Sequence, residues 1–235
     1  MIRRKLIGSQ LIIDQTRNHS FNLDTVLLAK FLKIPKKMET ILDVGTGNGG
    51  LLLYASELTY AKLIGVEIQE ERYNLAVHNM KINGLEDRSE IILGDYLESE
   101  FKNLDCVISN PPFFKTENSD QLSETKSDQL ARHEISLSLE GLVKTASKHL
   151  KYGGYFYMIH RANRFAEIVQ ILNQYHLTLK RVKFVHPYID KPANHVLIQC
   201  IKQGKESLIL DPPLIIYKNK HEFSDTFIQF VGEAI

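Results

Sequence analysis

The sequence predicts an α/β chain built on a parallel sheet. From Thr40 onward, short apolar runs of strand type alternate with segments of helical periodicity. A glycine-rich turn separates the first such strand from the first such helix. A third observation is "ISNPPFF" at 108–114. It ends a strand, because prolines cannot donate to a ladder and the residue before a proline is pushed out of helical geometry.

The elements follow in order. "TILDV" (40–44) reads as a strand, "GLLLYASEL" as a helix and "KLIGVE" (62–67) as the next strand. Tyr73, Ala76, Val77 and Met80 then recur at helical spacing, with Asn83-Gly84 as the stop. "EIIL" (90–93) and "LDCVIS" (104–109) are further strands. Leu139, Leu142, Val143, Ala146 and Leu150 mark one helix face, which Gly153-Gly154 would close. "YFYMIH" is a strand, and Phe165, Ile168, Val169 and Leu172 mark another helix. "LTLKRVKFVHPY" and "HVLIQCIK" are joined by "IDKPAN", which has no room for a crossover helix, so they should pair antiparallel. The expected whole is a seven-stranded, mostly parallel sheet with a terminal antiparallel hairpin. One domain is expected over 1–235, with a lead-in at 1–34 and a polar, mobile loop at 115–130.

Composition narrows the function class. Net charge is +1, so any grip on nucleic acid must come from a local basic face. Candidate clusters are Arg3-Arg4-Lys5, Lys33 with Lys36-Lys37, Arg161 with Arg164, and Lys180-Arg181 with Lys183. Cys106 and Cys200 sit inside apolar runs as expected buried thiols, outside any CxxC or Cys/His cluster, so no metal site is expected. No apolar stretch approaches a membrane span, and "MIRRKLIGSQ" is followed by no apolar block of signal-peptide length. A cytoplasmic protein without an obligate protein partner is the expectation.

The chemistry concentrates at strand ends. "LDVGTGNGG" places Gly45, Gly47 and Gly50 between a strand and a helix, where a backbone can approach a ligand closely. The next strand ends in Glu67, which can accept both hydroxyls of a ribose. Asp43 lies two residues before Gly45; a pyrophosphate passing there would be repelled, whereas a ligand carrying a positive charge would not. In "GDY", Asp95 can accept from an adenine amino group while Tyr96 or a neighbour packs on the ring. Together these residues favour a nucleoside over a dinucleotide.

"LDVGTGNGG", "GVEIQ", "GDY" and "SNPPFF", in this order at successive strand ends, resemble the motifs of Rossmann-like class I S-adenosylmethionine-dependent methyltransferases. The resemblance spans roughly Phe21 to Lys202 and implies S-adenosyl-L-methionine as cofactor. It implies a cofactor set of Asp43, Gly45, Gly47, Asn48, Glu67, Ile68, Asp95, Tyr96 and Asn110. The Asn-Pro-Pro-aromatic form is shared by enzymes that methylate exocyclic or amide nitrogens. "FNLDTVLLAKFL", "ARHE" (131–134) and "KPANHVLIQCIK…PPLIIY" look like bacterial tRNA adenine-N6 methyltransferases, which act beside the anticodon of a valine tRNA. The best-known members carry Tyr where this chain has Phe113. Related guanine-N2 rRNA enzymes carry Phe followed by His; here Phe113 is followed by Phe114 and Lys115, so that pattern is matched only in part.

That resemblance implies a catalytic stretch Asn110, Pro111, Pro112 and Phe113. The Asn110 side-chain oxygen and the Pro111 carbonyl would bind the two N–H groups of an exocyclic amine, and Phe113 would stack on an extruded base. A role in anchoring the loop is expected for His133 and Glu134, and Asp24 is either a helix-start residue or part of the methionine end of the pocket. For tRNA the expected contacts are Arg3, Arg4, Lys5, Arg132, Lys180, Arg181 and Lys183. The rival readings are a guanine-N2 or glutamine-amide acceptor, a non-catalytic RNA-binding domain, and an NAD-dependent oxidoreductase.

Overall fold

A computed structural model describes residues 1–16, 22–113 and 137–232. The lead-in forms an antiparallel hairpin, β1 (Ile2–Lys5) with β2 (Ile12–Gln15), and then helix α1 (Leu23–Phe31), capped by the Asn22 side chain. Next come β3 (Thr40–Val44), α2 (Gly50–Leu58), β4 (Lys62–Glu67), α3 (Glu70–Ile82), β5 (Ser89–Leu93) and β6 (Leu104–Ser109). After the polar segment follow α4 (Leu139–His149), β7 (Leu150–Arg161), α5 (Phe165–Gln174), β8 (Leu177–His186) and β9 (His195–Lys202). The chain ends with the short strands β10 (Ile209–Leu210), β11 (Leu214–Ile215), β12 (Tyr217–Asn219) and β13 (Glu222–Phe223), and with α6 (Asp225–Val231).

Seven longer strands lie in the order β8-β9-β7-β6-β3-β4-β5, and β9 runs antiparallel to both its neighbours. The expected sheet and terminal hairpin are present. The sheet is extended to nine strands by β10 and β11, two residues each, both parallel to β8. Side chains alternate across it with period two. On one face Ile41, Leu63, Cys106, Ile108, Tyr157 and Ile159 pack with α1, α2 and α6. On the other, Leu42, Ile64, Val107, Phe156 and Met158 pack with α4 and α5. Both cysteines are buried free thiols. No helix among the described residues is long and apolar enough to cross a membrane.

Two local expectations are corrected. Leu150 is not the last residue of a helix face: it is extended and pairs with Leu104 as the first residue of β7. Pairing then skips to Cys106 with Tyr155, so Gly153, at φ +73°, serves a bulge within the strand. In α3 the buried positions are Leu75, Ala76, Asn79 and Met80, while Val77 faces outward. The buried face includes an asparagine because Asn79 holds the lead-in hairpin. Its Oδ1 accepts from the Asp14 backbone N–H at 2.8 Å, and its Nδ2 donates to the carbonyls of Asp14 and Asn48, both at 2.9 Å. The hairpin is thereby pinned against the glycine loop.

Candidate active site

β3 and β6 are hydrogen-bonded neighbours, with Val44 level with Ser109, and the chain leaves them in opposite directions across the sheet. This is the switch point of an open α/β sheet, where the crevice at the carboxyl ends of the strands opens. The glycine loop and Asn110 therefore leave adjacent strands at one level. Gly45 and Gly47 have φ of +68° and +58°, and an added Cβ at either would meet nothing within 4 Å, so both border open space. The third left-handed glycine of the turn is Gly49, at +84°, rather than Gly50, which begins α2.

Asp43 is 1% exposed. Thr46 Oγ1 donates to its Oδ2 at 2.8 Å, while its Oδ1 is buried with no hydrogen-bond partner among the described residues. Burial, reinforced by the nearby Glu67 carboxylate, pushes the Asp43 carboxyl up to about 7 despite the Thr46 bond. Glu67 is held on both oxygens: Oε2 accepts from the Gly47 N–H at 2.8 Å and Oε1 from the Gln69 N–H at 2.9 Å. Each oxygen retains a second acceptor position. An orphaned buried carboxylate oxygen, open space at two glycines and a spare pair of acceptors fit a nucleoside ligand with a cationic group. They do not fit a pyrophosphate. Asn48, buried in the loop, gives its carbonyl to Asn79, and Ile68 is half-buried directly after Glu67.

Asp95 caps the short helical turn that follows it, accepting from the Leu97 N–H at 2.8 Å through Oδ1. Its Oδ2 has no partner among the described residues. Tyr96 departs from expectation. It is 4% exposed, edge-on to His149 at 5.3 Å, and its hydroxyl is enclosed without a partner among the described residues. The short helical turn directs this ring into the core beneath the sheet, so ring stacking on a ligand does not fall to Tyr96.

At the end of β6 the Asn110 Nδ2 lies 3.4 Å from Asn22 Oδ1 and 3.3 Å from Thr25 Oγ1, both at the start of α1. This turns the amide oxygen away from α1. Neither that oxygen nor the Pro111 carbonyl has a partner among the described residues. Phe113, partly buried, lies 5.3 Å from His160 and 5.6 Å from His195, and the Arg161 guanidinium sits over its ring at 5.0 Å. His195 Nε2 is 3.5 Å from Asp24 Oδ1. Of these neighbours, Asn22, Thr25, His160 and His195 were not singled out in the sequence, since three separate segments supply them: the start of α1, β7 and β9.

The expected RNA contacts divide sharply. Arg4 and Lys5 are exposed on β1. Arg3 is half-committed: its Nε and Nη2 both lie 2.8 Å from the Asp14 carboxylate, which His78 Nε2 also reaches at 2.8 Å. These two partners hold the Asp14 carboxyl well below its ordinary range. Lys180 donates to the Lys205 carbonyl at 2.8 Å and to Ser207. Arg181 is a correction: it pairs with Asp211 at 2.6 Å, donates to the Phe31 carbonyl and covers the Phe31 ring at 4.3 Å. Lys183 is another, donating to the Pro212 carbonyl at 2.8 Å beside the same Asp211. The chain returning through β10 and β11 covers both, so neither is available to RNA. Arg132, His133, Glu134 and the 115–130 loop lie outside the described residues.

A protein named tRNA1(Val) (adenine(37)-N6)-methyltransferase from Dyadobacter fermentans is 33% identical over 77% of this chain and 75% of its own. Proteins of the same name from Christiangramia forsetii and Phocaeicola vulgatus are 28% and 27% identical, covering 95% and 89% of this chain and 94% and 88% of theirs. Among solved structures, a predicted O-methyltransferase from Agrobacterium tumefaciens shares the fold, with a TM-score of 0.67 at 20% identity over 91% of this chain and 98% of its own. The profile of the methyltransferase small domain matches residues 18–189. The chain belongs to the methyltransferase small domain family.

Proposed function

We propose that this chain transfers a methyl group from S-adenosyl-L-methionine to the exocyclic N6 of an adenosine in tRNA, beside the anticodon. The observation that carries the reading is the orientation of Asn110. Its Nδ2 faces Asn22 and Thr25, so its oxygen and the adjacent Pro111 carbonyl form a pair of acceptors unused among the described residues, beside the glycine loop. An amine with two N–H groups satisfies such a pair. The names of the relatives support adenine in tRNA as the acceptor.

When bound, S-adenosyl-L-methionine supplies an electrophilic methyl on a sulfonium. Asp43 would hold its amino group, Gly45 and Gly47 would let it lie close to the backbone, Glu67 would take the ribose hydroxyls and Asp95 the adenine amino group. An adenine amine is a poor nucleophile because its lone pair is delocalised into the ring. Asn110 and Pro111 would draw on both N–H groups, favour rehybridisation and aim the lone pair out of the ring plane. Catalysis here is positioning and preorganised electrostatics, with no general base needed at the outset. Phe113 would hold the extruded base by stacking. Arg4 and Lys5 would add phosphate contacts, and the enzyme would work in the cytoplasm, where its RNA is made.

The test is incubation of the purified protein with methyl-labelled S-adenosyl-L-methionine and tRNA from cells lacking the gene, followed by nucleoside mass spectrometry. N6-methyladenosine at one tRNA position is the expected product. Label in N2-methylguanosine or in a protein glutamine would overturn the acceptor assignment.

A further inference from the structure

Arg161 is the last residue of β7, whose pairing with β6 sets Met158 level with Ser109, so it stands on the same rim as Asn110. Its guanidinium covers the Phe113 ring at 5.0 Å, and its Nη1 lies 3.3 Å from His195 Nε2. A guanidinium has only donors, so His195 Nε2 must accept. The imidazole is then neutral with its proton on Nδ1, 3.1 Å from Asn194 Oδ1, which can receive it. Burial, with Arg161 close by, holds His195 below its ordinary range, in keeping with that state. Asp24 Oδ1 approaches the same Nε2 at 3.5 Å but forms no ion pair with Arg161.

Arg161 is therefore an exposed cation, fixed by an aromatic face and a neutral ring, with no carboxylate partner among the described residues. Other arginines differ: Arg3 is paired with Asp14, Arg164 with Glu167 and Arg181 with Asp211, and Arg88 donates to the carbonyls of Ser56, Thr59 and Ala61, while the exposed Arg4 has no aromatic or imidazole contact among the described residues. The guanidinium nitrogens that do not face His195 form a planar donor fork, which suits a phosphate.

We infer that Arg161 grips the phosphodiester next to the target nucleotide, holding the RNA backbone while the base enters over Asn110. This rests on the RNA-methylating reading above. A base leaves its stack by rotating about its own backbone, so a fixed phosphate decides where that base arrives. The stack of Arg161 on Phe113 joins the phosphate contact and the base contact in one packed unit.

The experiment uses an anticodon stem-loop RNA containing the target adenosine, and the same RNA with single methylphosphonates on either side of it. Arg161→Gln should raise the KM for RNA roughly tenfold or more, the range of a lost charge-assisted hydrogen bond. It should flatten the salt dependence of RNA binding by about one in slope. S-adenosyl-L-methionine affinity should be unchanged. One of the methylphosphonates should weaken the wild type to a similar degree and leave the variant unaffected. Wild-type KM and slope in the variant would overturn the inference, as would equal sensitivity of both proteins to every methylphosphonate. Lost cofactor affinity would also overturn it, moving Arg161 to the cofactor's carboxylate. If the wild type methylates no RNA, the underlying reading fails first and takes this one with it.

Discussion

Thr46 satisfies only half of Asp43. Its hydroxyl donates to Oδ2 at 2.8 Å, and Oδ1 remains buried without a partner among the described residues. A carboxyl in that position prefers to be neutral, and the group is pushed up to about 7. Raised from its unfolded value of 3.8, it contributes stability that is fully present below that value and lost as pH rises through about 7.

A cationic ligand at Asp43 should reverse this preference. Binding S-adenosyl-L-methionine near pH 6 should therefore release a proton, visible in calorimetry as a heat that depends on the ionisation enthalpy of the buffer. Asp43→Asn keeps an oxygen for Thr46 but cannot ionise. It should abolish the release, weaken the ligand and stabilise the free protein above pH 7. Buffer-independent heats in the wild type would remove the amine from Asp43.

Asn110→Ala should leave cofactor affinity nearly unchanged and lower turnover by the equivalent of about 2.7–4 kcal/mol of barrier, the usual loss for one preorganised polar contact. Because Asn22 still caps α1 through the Thr25 N–H, the variant should fold normally. Near-normal turnover at saturating RNA would dismiss the amine-holding role.

The parts of this site that could be read in the chain are those written within one short segment. The glycine turn with Asp43, and the Asn-Pro-Pro stretch, announce their geometry through backbone constraints that neighbouring residues impose. Side-chain direction is less legible. Tyr96 follows Asp95 at a strand end, yet the turn there sends its ring into the core against His149. Arg181 and Lys183 read as an open basic cluster because Asp211, which covers them, lies about thirty residues downstream. The Asp24–His195–Arg161–Phe113 contacts join four segments across the sheet rim, and no local pattern encodes that meeting.

Asn79 predicts a coupling between stability and the cofactor loop. It is fully buried and serves three backbone groups, two on Asp14 and one on Asn48. Asn79→Ala removes all three of these bonds in a closed space, so the loss should be about 1–3 kcal/mol or more, measured by urea unfolding. Because the Asn48 carbonyl belongs to the glycine loop, cofactor affinity should fall as well. A variant that unfolds at lower urea but binds S-adenosyl-L-methionine as tightly as the wild type would separate the hairpin from the loop.

His160 should add to the loss of stability in acid. It is 2% exposed, and burial is the largest of the effects that depress it to about 4, followed by the Arg164 charge. Its Nδ1 accepts the Arg161 backbone N–H at 2.8 Å, a bond that requires the neutral ring. For a histidine depressed on folding, the contribution is fully present above the unfolded value of 6.5. It is lost as pH falls towards about 4, because the unfolded chain takes up the proton first. The stability at stake is at most about 3 kcal/mol, from the size of the depression. His160→Gln keeps an acceptor for the Arg161 N–H without titrating, so its unfolding free energy should fall less steeply than that of the wild type between pH 6.5 and 4. Chemical denaturation across that window decides the matter. Parallel slopes for the two proteins would mean that His160 takes up its proton in the folded state as readily as in the unfolded one.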